Sequence, residues 1–145
     1  MAKVLIVYYS KSGNTEAMAR ILADAAKAAG AKVTLKRAED ATNDDLVSAD
    51  AVAIGSPDYF SYPAGFVKAI FDEALSIKAK LSNKPALCFA SHGGGGKLKG
   101  PFEQLMKSIG LKLVMPCILC QQAPAGETID VLKKAGESLV KAVAR

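Results

Sequence analysis

The chain has 145 residues, of which 50% are hydrophobic and 23% are charged. This is ordinary globular composition, so we expect residues 1–145 to form a single domain whose core needs neither a metal nor a disulfide. The opening apolar run is too short for a signal peptide or a membrane span, and three cysteines do not suggest a disulfide framework. These features predict a cytoplasmic protein.

The net charge of +5 raises the question of nucleic-acid binding. The basic residues are dispersed, without a run of five, and aromatic residues are not interleaved with them. The stretch from Glu39 to Asp58 even holds six acidic residues and no basic one. Because a nucleic-acid or membrane surface needs a focused basic patch, we expect neither as a partner.

Apolar runs and amphipathic segments alternate in the first half of the chain. Residues 3–10 predict a buried strand. A helix is expected over 15–30, ending at Gly30, with a buried face of Ile21, Leu22, Ala25, Ala26 and Ala29. The segments that follow are a half-exposed strand at 31–38, a short helix at 43–49 capped by Asn43, and a buried strand at 50–56.

The same alternation continues to the end of the chain. The predicted elements are a helix at 64–76, a strand at 84–91, a helix at 99–110, a strand at 111–123 bent or ended near Pro116, and a final helix from 126 onward. Five strand-then-helix units predict an open parallel sheet with helices on both faces. Ligands of such sheets bind beyond the carboxyl ends of the strands.

Three unusual segments lie at those strand ends. The first, SKSGNT at residues 10–15, leads into a helix, where unpaired N–H groups and the helix dipole favour an anion such as a phosphate. It lacks the Gly-Lys-Ser/Thr triplet of a nucleotide triphosphate loop, the G-x-G-x-x-G pattern of dinucleotide sites, and the Cys and Arg of a phosphatase. The alternative that its serines and threonine simply cap the helix stays open.

The second and third segments suit the rest of a flat ligand. GSPDYFSYP, at residues 55–63, gathers three aromatic residues between two prolines, so they could stack on a ring, pack beneath a loop or form a subunit contact. SHGGGG, at residues 91–96, lets backbone groups approach the polar edge of a heterocycle, or is only a flexible connection. Together the three segments describe a phosphate tail, a flat body and a polar edge.

These motifs resemble the flavodoxin family of flavin mononucleotide (FMN) proteins. SKSGNT looks like the phosphate loop Ser/Thr-x-Ser/Thr-G-N-T after the first strand, and the other two segments resemble the flavin-contacting loops. The resemblance covers the whole chain. It implies a doubly wound, five-stranded α/β fold of strand order 2-1-3-4-5 and non-covalent FMN, in the short-chain form of the family.

The resemblance also implies site residues. The phosphate would be held by Ser10, Lys11, Ser12, Gly13, Asn14 and Thr15. The flavin ring would be lined by Ser56, Pro57, Asp58, Tyr59, Phe60 and Ser61. Its pyrimidine edge would be met by Ser91, His92, Gly93, Gly94 and Gly95. No metal ligand and no catalytic residue is implied, although His92 could serve as a proton donor.

Several functions remain open at this point. The main expectation is an electron carrier between redox proteins, a reductase and an acceptor, as a monomer or small homo-oligomer. An FMN-dependent NAD(P)H:quinone reductase is the alternative, favoured by the glycine-free SPDYFSYP and by His92. A receiver-type module without flavin would need paired acidic residues after the first strand, which VYYSKS lacks. Cys117 and Cys120 are expected to point to opposite faces and to pack as buried residues.

Overall fold

A parallel sheet with five strand positions organises the protein in a computed structural model that describes residues 1–143. Its strands are β1 Lys3–Tyr8, β2 Lys32–Arg37, β3 Ala51–Tyr59, β5 Pro85–His92, β6 Lys112–Leu113 and β7 Ile118–Gln121, and β4, Tyr62–Pro63, forms an antiparallel hairpin with β3. The order is β2-β1-β3-β5, and β6 and β7 share the fifth position beside β5. Counted by position, this confirms the predicted order 2-1-3-4-5.

The fifth strand position is split, where the sequence predicted one strand over 111–123. Pro116 lies in the gap and has no N–H to donate to a neighbouring strand. The next backbone N–H, that of Cys117, donates instead to the Glu103 carboxylate at 2.7 Å. The ladder is therefore interrupted by a side chain from a neighbouring helix. Across the break the register against β5 shifts by two residues, because Leu113 lies opposite Ala86 and Ile118 opposite Phe89.

Six α-helices connect the strands within the described residues. They are α1 Asn14–Ala28, α2 Asn43–Ser48, α3 Gly65–Ala74, α4 Lys78–Leu81, α5 Lys99–Ser108 and α6 Glu127–Val143, with 3-10 turns at Ala38–Asp40 and Leu75–Ile77. Every predicted helix is present, and the short α4 is additional. The last two residues of the predicted final helix lie outside the described residues. Within residues 1–143, no helix is both long and apolar enough to cross a membrane.

The cap of helix α2 lies one residue earlier than predicted. Its cap is Thr42, whose Oγ1 accepts a hydrogen bond from the N–H of Asp45 at 3.2 Å. The Asp45 carboxylate in turn accepts from the Thr42 N–H at 2.9 Å. This reciprocal capping box satisfies two N–H groups, more than Asn43 alone could do as a cap.

Alternate residues of β1 enter two separate cores. Leu5 and Val7 face the side covered by α2, α3 and α5, whereas Val4 and Ile6 face the side covered by α1 and α6. Since successive strand residues point to opposite faces, both faces of the sheet are buried under helices, as predicted.

The three cysteines are buried on both sides of the sheet. Cys88 and Cys117 belong to one core and Cys120 to the other, which confirms the predicted opposite faces. A hydrogen bond with the Cys117 thiol, together with burial, raises the pKa of Cys88, and burial raises the pKa of Cys120. These two thiols therefore stay protonated at neutral pH, which suits packing better than thiol redox chemistry.

The buried face of α1 is rotated from the predicted one. Its buried residues are Thr15, Met18, Ala19, Leu22, Ala23 and Ala26. Of the predicted set, Leu22 and Ala26 are buried, but Ile21 and Ala25 are only half-buried and Ala29 is exposed. Because α1 contains six alanines, its faces differ little in hydrophobicity, and the sequence does not specify which face is buried. Ala25 instead contacts α6, where Gly136 allows the two helices to approach closely.

A two-residue turn joins β3 to β4. Tyr59 pairs with Tyr62, and the residues between them, Phe60 and Ser61, have φ values of 57° and 64°. Positive φ at both central positions defines a type I′ turn, which strongly favours Asn-Gly. The segment predicted as a loop thus continues the β3 strand into a strained hairpin without glycine.

Relief of this strain should stabilise the flavin-free protein. We expect Ser61→Gly to raise the free energy of unfolding by roughly 0.5–1 kcal/mol, since the gain from the relaxed φ exceeds the added entropy of glycine. Urea unfolding followed by circular dichroism measures the change. Ser61→Ala is the matched control, because it removes the hydroxyl and keeps the strain. Equal effects of the two variants would show that φ is not responsible.

The second prediction concerns Gly55 in β3. A Cβ added there would overlap the ring of Phe89 on β5, at a point where the Gly55 carbonyl also accepts from the Tyr9 N–H at 3.1 Å. We expect Gly55→Ala to lower the free energy of unfolding by about 1–3 kcal/mol. Gly65→Ala, where the added methyl meets nothing within 4 Å, should be neutral or stabilising. Comparable urea midpoints for the two variants would contradict this account.

Candidate functional site

The three predicted loops meet at one edge of the sheet. They follow β1, β3 and β5, which are adjacent strands with aligned carboxyl ends. Tyr8 is in register with Gly55, and Pro57 with Ser91. The predicted residues 10–15, 56–61 and 91–95 are therefore neighbours, at the switch point between β1 and β3 where doubly wound sheets bind ligands.

The first loop leaves the start of α1 open. Gly13 precedes the helix with φ 96°, and no side chain hydrogen-bonds to cap it. Instead, Ser10 Oγ accepts from the Gly13 N–H at 3.1 Å, which stabilises the turn ahead of the helix. The alternative that serine and threonine side chains cap this helix is therefore wrong. The first N–H groups of α1 are available to an anion.

Other side chains of this loop divide into exposed and buried groups. Lys11 and Ser12 are exposed, whereas Ser10 and Thr15 are buried. The Thr15 and Ser91 hydroxyls lie 2.8 Å apart in a buried hydrogen bond that links the start of α1 to the end of β5. This contact fixes the first loop relative to the third, although 76 residues separate them in sequence.

Arg37 is part of this edge, and the sequence analysis missed it. Its Nη2 donates to the Ser10 carbonyl at 2.8 Å, and its guanidinium lies over the rings of Tyr8 and Tyr9, 5.5 and 5.7 Å from their centroids. Its Nε donates to Glu39 at 3.1 Å. The available signal was its position as the last residue of β2, which the order 2-1-3-4-5 puts beside β1.

The second loop presents aromatic side chains to solvent. Phe60 is fully exposed, and Tyr59 is 38% exposed. Tyr9 packs edge-on against Tyr59, with 6.3 Å between the ring centroids, and stacks on Phe66, with 5.5 Å between the centroids. Tyr9, Tyr59 and Phe66 line a groove of about 490 Å³ together with small residues at the start of α3. Burial raises the pKa of the Tyr59 phenol, which therefore stays neutral at physiological pH.

The third loop follows the end of β5. Ser91 and His92 complete the strand, whereas residues 93–95 are irregular, with room around each of the three glycines. The His92 imidazole is half-buried and lies against Gly96, whose left-handed φ of 68° brings its backbone close to the ring. The imidazole is thus held by packing at the edge, not free in solvent.

Two buried side-chain polar atoms in residues 1–143 have no hydrogen-bond partner, and both belong to this edge. They are Asp58 Oδ1 and His92 Nδ1, on the neighbouring strands β3 and β5. Such atoms are costly when left unpaired, and a ligand bound at this edge could supply the missing partners.

This arrangement fits the parts of FMN. The open helix N-terminus and its hydroxyls suit a phosphate, the aromatic side chains suit a flat ring, and the two unpaired atoms suit the polar edge of that ring. Asp58 Oδ1 can accept a hydrogen bond from a ring N–H, and His92 Nδ1 can donate or accept according to its tautomer.

Comparisons with known proteins identify the family of this chain. The flavodoxin family model matches residues 6–134. The flavodoxin of Megasphaera elsdenii is 33% identical over 142 residues, which cover 96% of this chain and 99% of that protein. Its solution structure in the two-electron reduced state superposes with a TM-score of 0.83 at 32% identity, over 95% of this chain and 98% of that one.

Other relatives are longer than this chain. The flavodoxin of Aquifex aeolicus is 37% identical over 98 residues, which are 66% of this chain and 53% of that protein. An NAD(P)H dehydrogenase (quinone) of Caulobacter vibrioides is 35% identical in an alignment of length 120 that covers 65% of this chain and 60% of that enzyme. The chain thus matches about half the length of the first and less than two thirds of the second.

The Megasphaera flavodoxin matches over its full length, whereas the quinone dehydrogenases match over only part of theirs. The family confirms the expected fold and the FMN cofactor. With the family model covering most of the chain, the conclusion is that this protein belongs to the flavodoxin family.

Proposed function

We propose that this chain carries electrons on FMN held non-covalently by its three loops, between a reductase and an acceptor protein in the cytoplasm. The observation that carries the proposal is the convergence of an uncapped helix N-terminus and two unpaired buried atoms at one sheet edge. When bound, FMN supplies the chemistry, since it accepts and releases electrons, and the protein binds and orients it.

The first loop is assigned to the phosphate. The N–H groups of Asn14 and Thr15 begin α1 and point toward its N-terminal end, where the helix dipole favours negative charge. Ser10, Ser12 and Thr15 add hydroxyls, Lys11 adds a positive charge, and Gly13 permits close approach of the backbone. Thr15 also ties this loop to Ser91, so the phosphate and ring sites keep a fixed spacing.

The second and third loops are assigned to the ring. Residues 56–61 supply the aromatic hairpin, and residues 91–95 supply His92 and three glycines at the polar edge. Ser56 stabilises this hairpin from beneath, because its Oγ accepts from the Ala64 N–H at 2.8 Å. The exposed Phe60 marks where a redox partner can approach the ring.

Electron transfer between proteins needs an exposed cofactor edge but no general base or nucleophile. The aromatic hairpin is exposed to solvent, so a ring bound against it would be open to a partner protein. Redox proteins are the partners typical of the family. We propose a separate reductase and acceptor, with the chain acting as a monomer or small homo-oligomer.

A second candidate is an FMN-dependent NAD(P)H:quinone reductase. The partial similarity to the Caulobacter dehydrogenase and the groove between Tyr9 and Phe66 favour it. His92, with its unpaired Nδ1 at the site, could then hold or release a proton.

Reduction assays separate the two candidates. We expect apoprotein to bind FMN, and the loaded protein to remain oxidised for minutes with NADPH or NADH alone under anaerobic conditions. Addition of a catalytic amount of ferredoxin or flavodoxin reductase should then reduce it, as followed by loss of flavin absorbance. Reduction by NAD(P)H alone within seconds, with turnover on a soluble quinone, would favour the enzyme. Failure to bind FMN would exclude both.

The unpaired edge atoms generate a second test. Asp58→Ala and His92→Ala should each weaken FMN and riboflavin binding equally, by about ten-fold, because both flavins share the ring edge. Flavin fluorescence quenching measures both affinities. The control Ser12→Ala should weaken FMN only, since riboflavin lacks the phosphate. Removal of the unpaired carboxylate should not destabilise the apoprotein, so a marked loss of stability in Asp58→Ala would contradict this assignment.

A further inference from the structure

We propose that Arg37 is a positioning residue for the phosphate loop and makes the site select FMN over riboflavin. The inference rests on the proposed function of residues 10–15. Arg37 lies on β2, outside all three loops, yet it is the charged side chain that hydrogen-bonds to the backbone where the phosphate loop begins.

The guanidinium is fixed from several sides. Nη2 donates to the Ser10 carbonyl at 2.8 Å, Nε donates to Glu39 at 3.1 Å, and the group lies over Tyr8 and Tyr9. An Arg fork can hold such a set of partners at once, whereas a Lys ammonium has no planar face for the rings. Although 37% of the Arg37 side chain is exposed, these contacts hold it in a single conformation.

Ser10 transmits this restraint to the anion site. Its carbonyl accepts from Arg37, while its hydroxyl accepts from the Gly13 N–H immediately before α1. A displacement of Ser10 would move Gly13 and the following N–H groups away from a bound phosphate. The positive charge of Arg37, which the Glu39 carboxylate offsets in part, also favours a dianion nearby.

The chain contains a matched control for the charge. Arg20 on α1 also pairs with a carboxylate, that of Glu16 at 2.7 Å, but makes no contact with the phosphate loop. Loss of either arginine changes the net charge equally. Only loss of Arg37 removes the hydrogen bond to Ser10.

The experiment measures FMN and riboflavin affinities of wild type, Arg37→Met, Arg37→Lys and Arg20→Met by fluorescence quenching. We expect Arg37→Met to weaken FMN binding about ten-fold or more and Arg37→Lys by about three-fold or more, with riboflavin changed less than about two-fold in each. Arg20→Met should leave both affinities within about two-fold of wild type. Thermal unfolding of each apoprotein shows whether the variant is folded. If Arg37→Met does not fold, Arg37→Lys alone tests the proposal.

Three results would overturn the proposal. Arg37→Lys that binds FMN like wild type would reduce the role to charge alone. An equal loss of riboflavin affinity would point to a general structural role. Equal losses in Arg37→Met and Arg20→Met would assign the effect to net charge. If the wild-type protein binds no FMN, the proposed function is wrong, and the inference that rests on it is wrong as well.

Discussion

The unpaired N–H groups at the start of α1 are the constraint on which the site depends. A helix N-terminus needs hydrogen-bond acceptors, and here no side chain supplies them. The surrounding residues hold this end open. Gly13 adopts a left-handed φ, Ser10 binds the turn from one side, and Thr15 is tied to Ser91 on β5. The helix end thus stays available to a ligand and fixed relative to the ring site.

The strand order determines which side chains support this helix end. Because β1 lies between β2 and β3, the phosphate loop has a neighbour on each side. Arg37 approaches from β2, and the Gly55 carbonyl approaches from β3 to accept the Tyr9 N–H. Residues with no motif of their own therefore become part of the site.

Local signals predicted most of the fold and the position of the site. Alternating apolar and amphipathic runs predicted a parallel sheet with helices on both faces, and loop composition identified all three segments at the sheet edge. The strand order came from the resemblance to the flavodoxin family. Errors arose where distant residues decide the structure. The break of the fifth strand near Pro116 was predicted, but not the Glu103 carboxylate that binds the Cys117 N–H there. Packing against α6 selects the buried face of the alanine-rich helix α1. Arg37 was missed for the same reason, since its contact with Ser10 spans 27 residues.

The buried pair of Thr15 and Ser91 has a further consequence for ligand chemistry. Two hydroxyls carry two protons, and the single hydrogen bond between them uses one. Whichever oxygen donates, the other keeps a proton that can point to a third atom. The pair can therefore reverse its direction without losing its mutual bond. One buried contact can thus serve as a donor from the helix side or from the strand side, as the bound molecule requires.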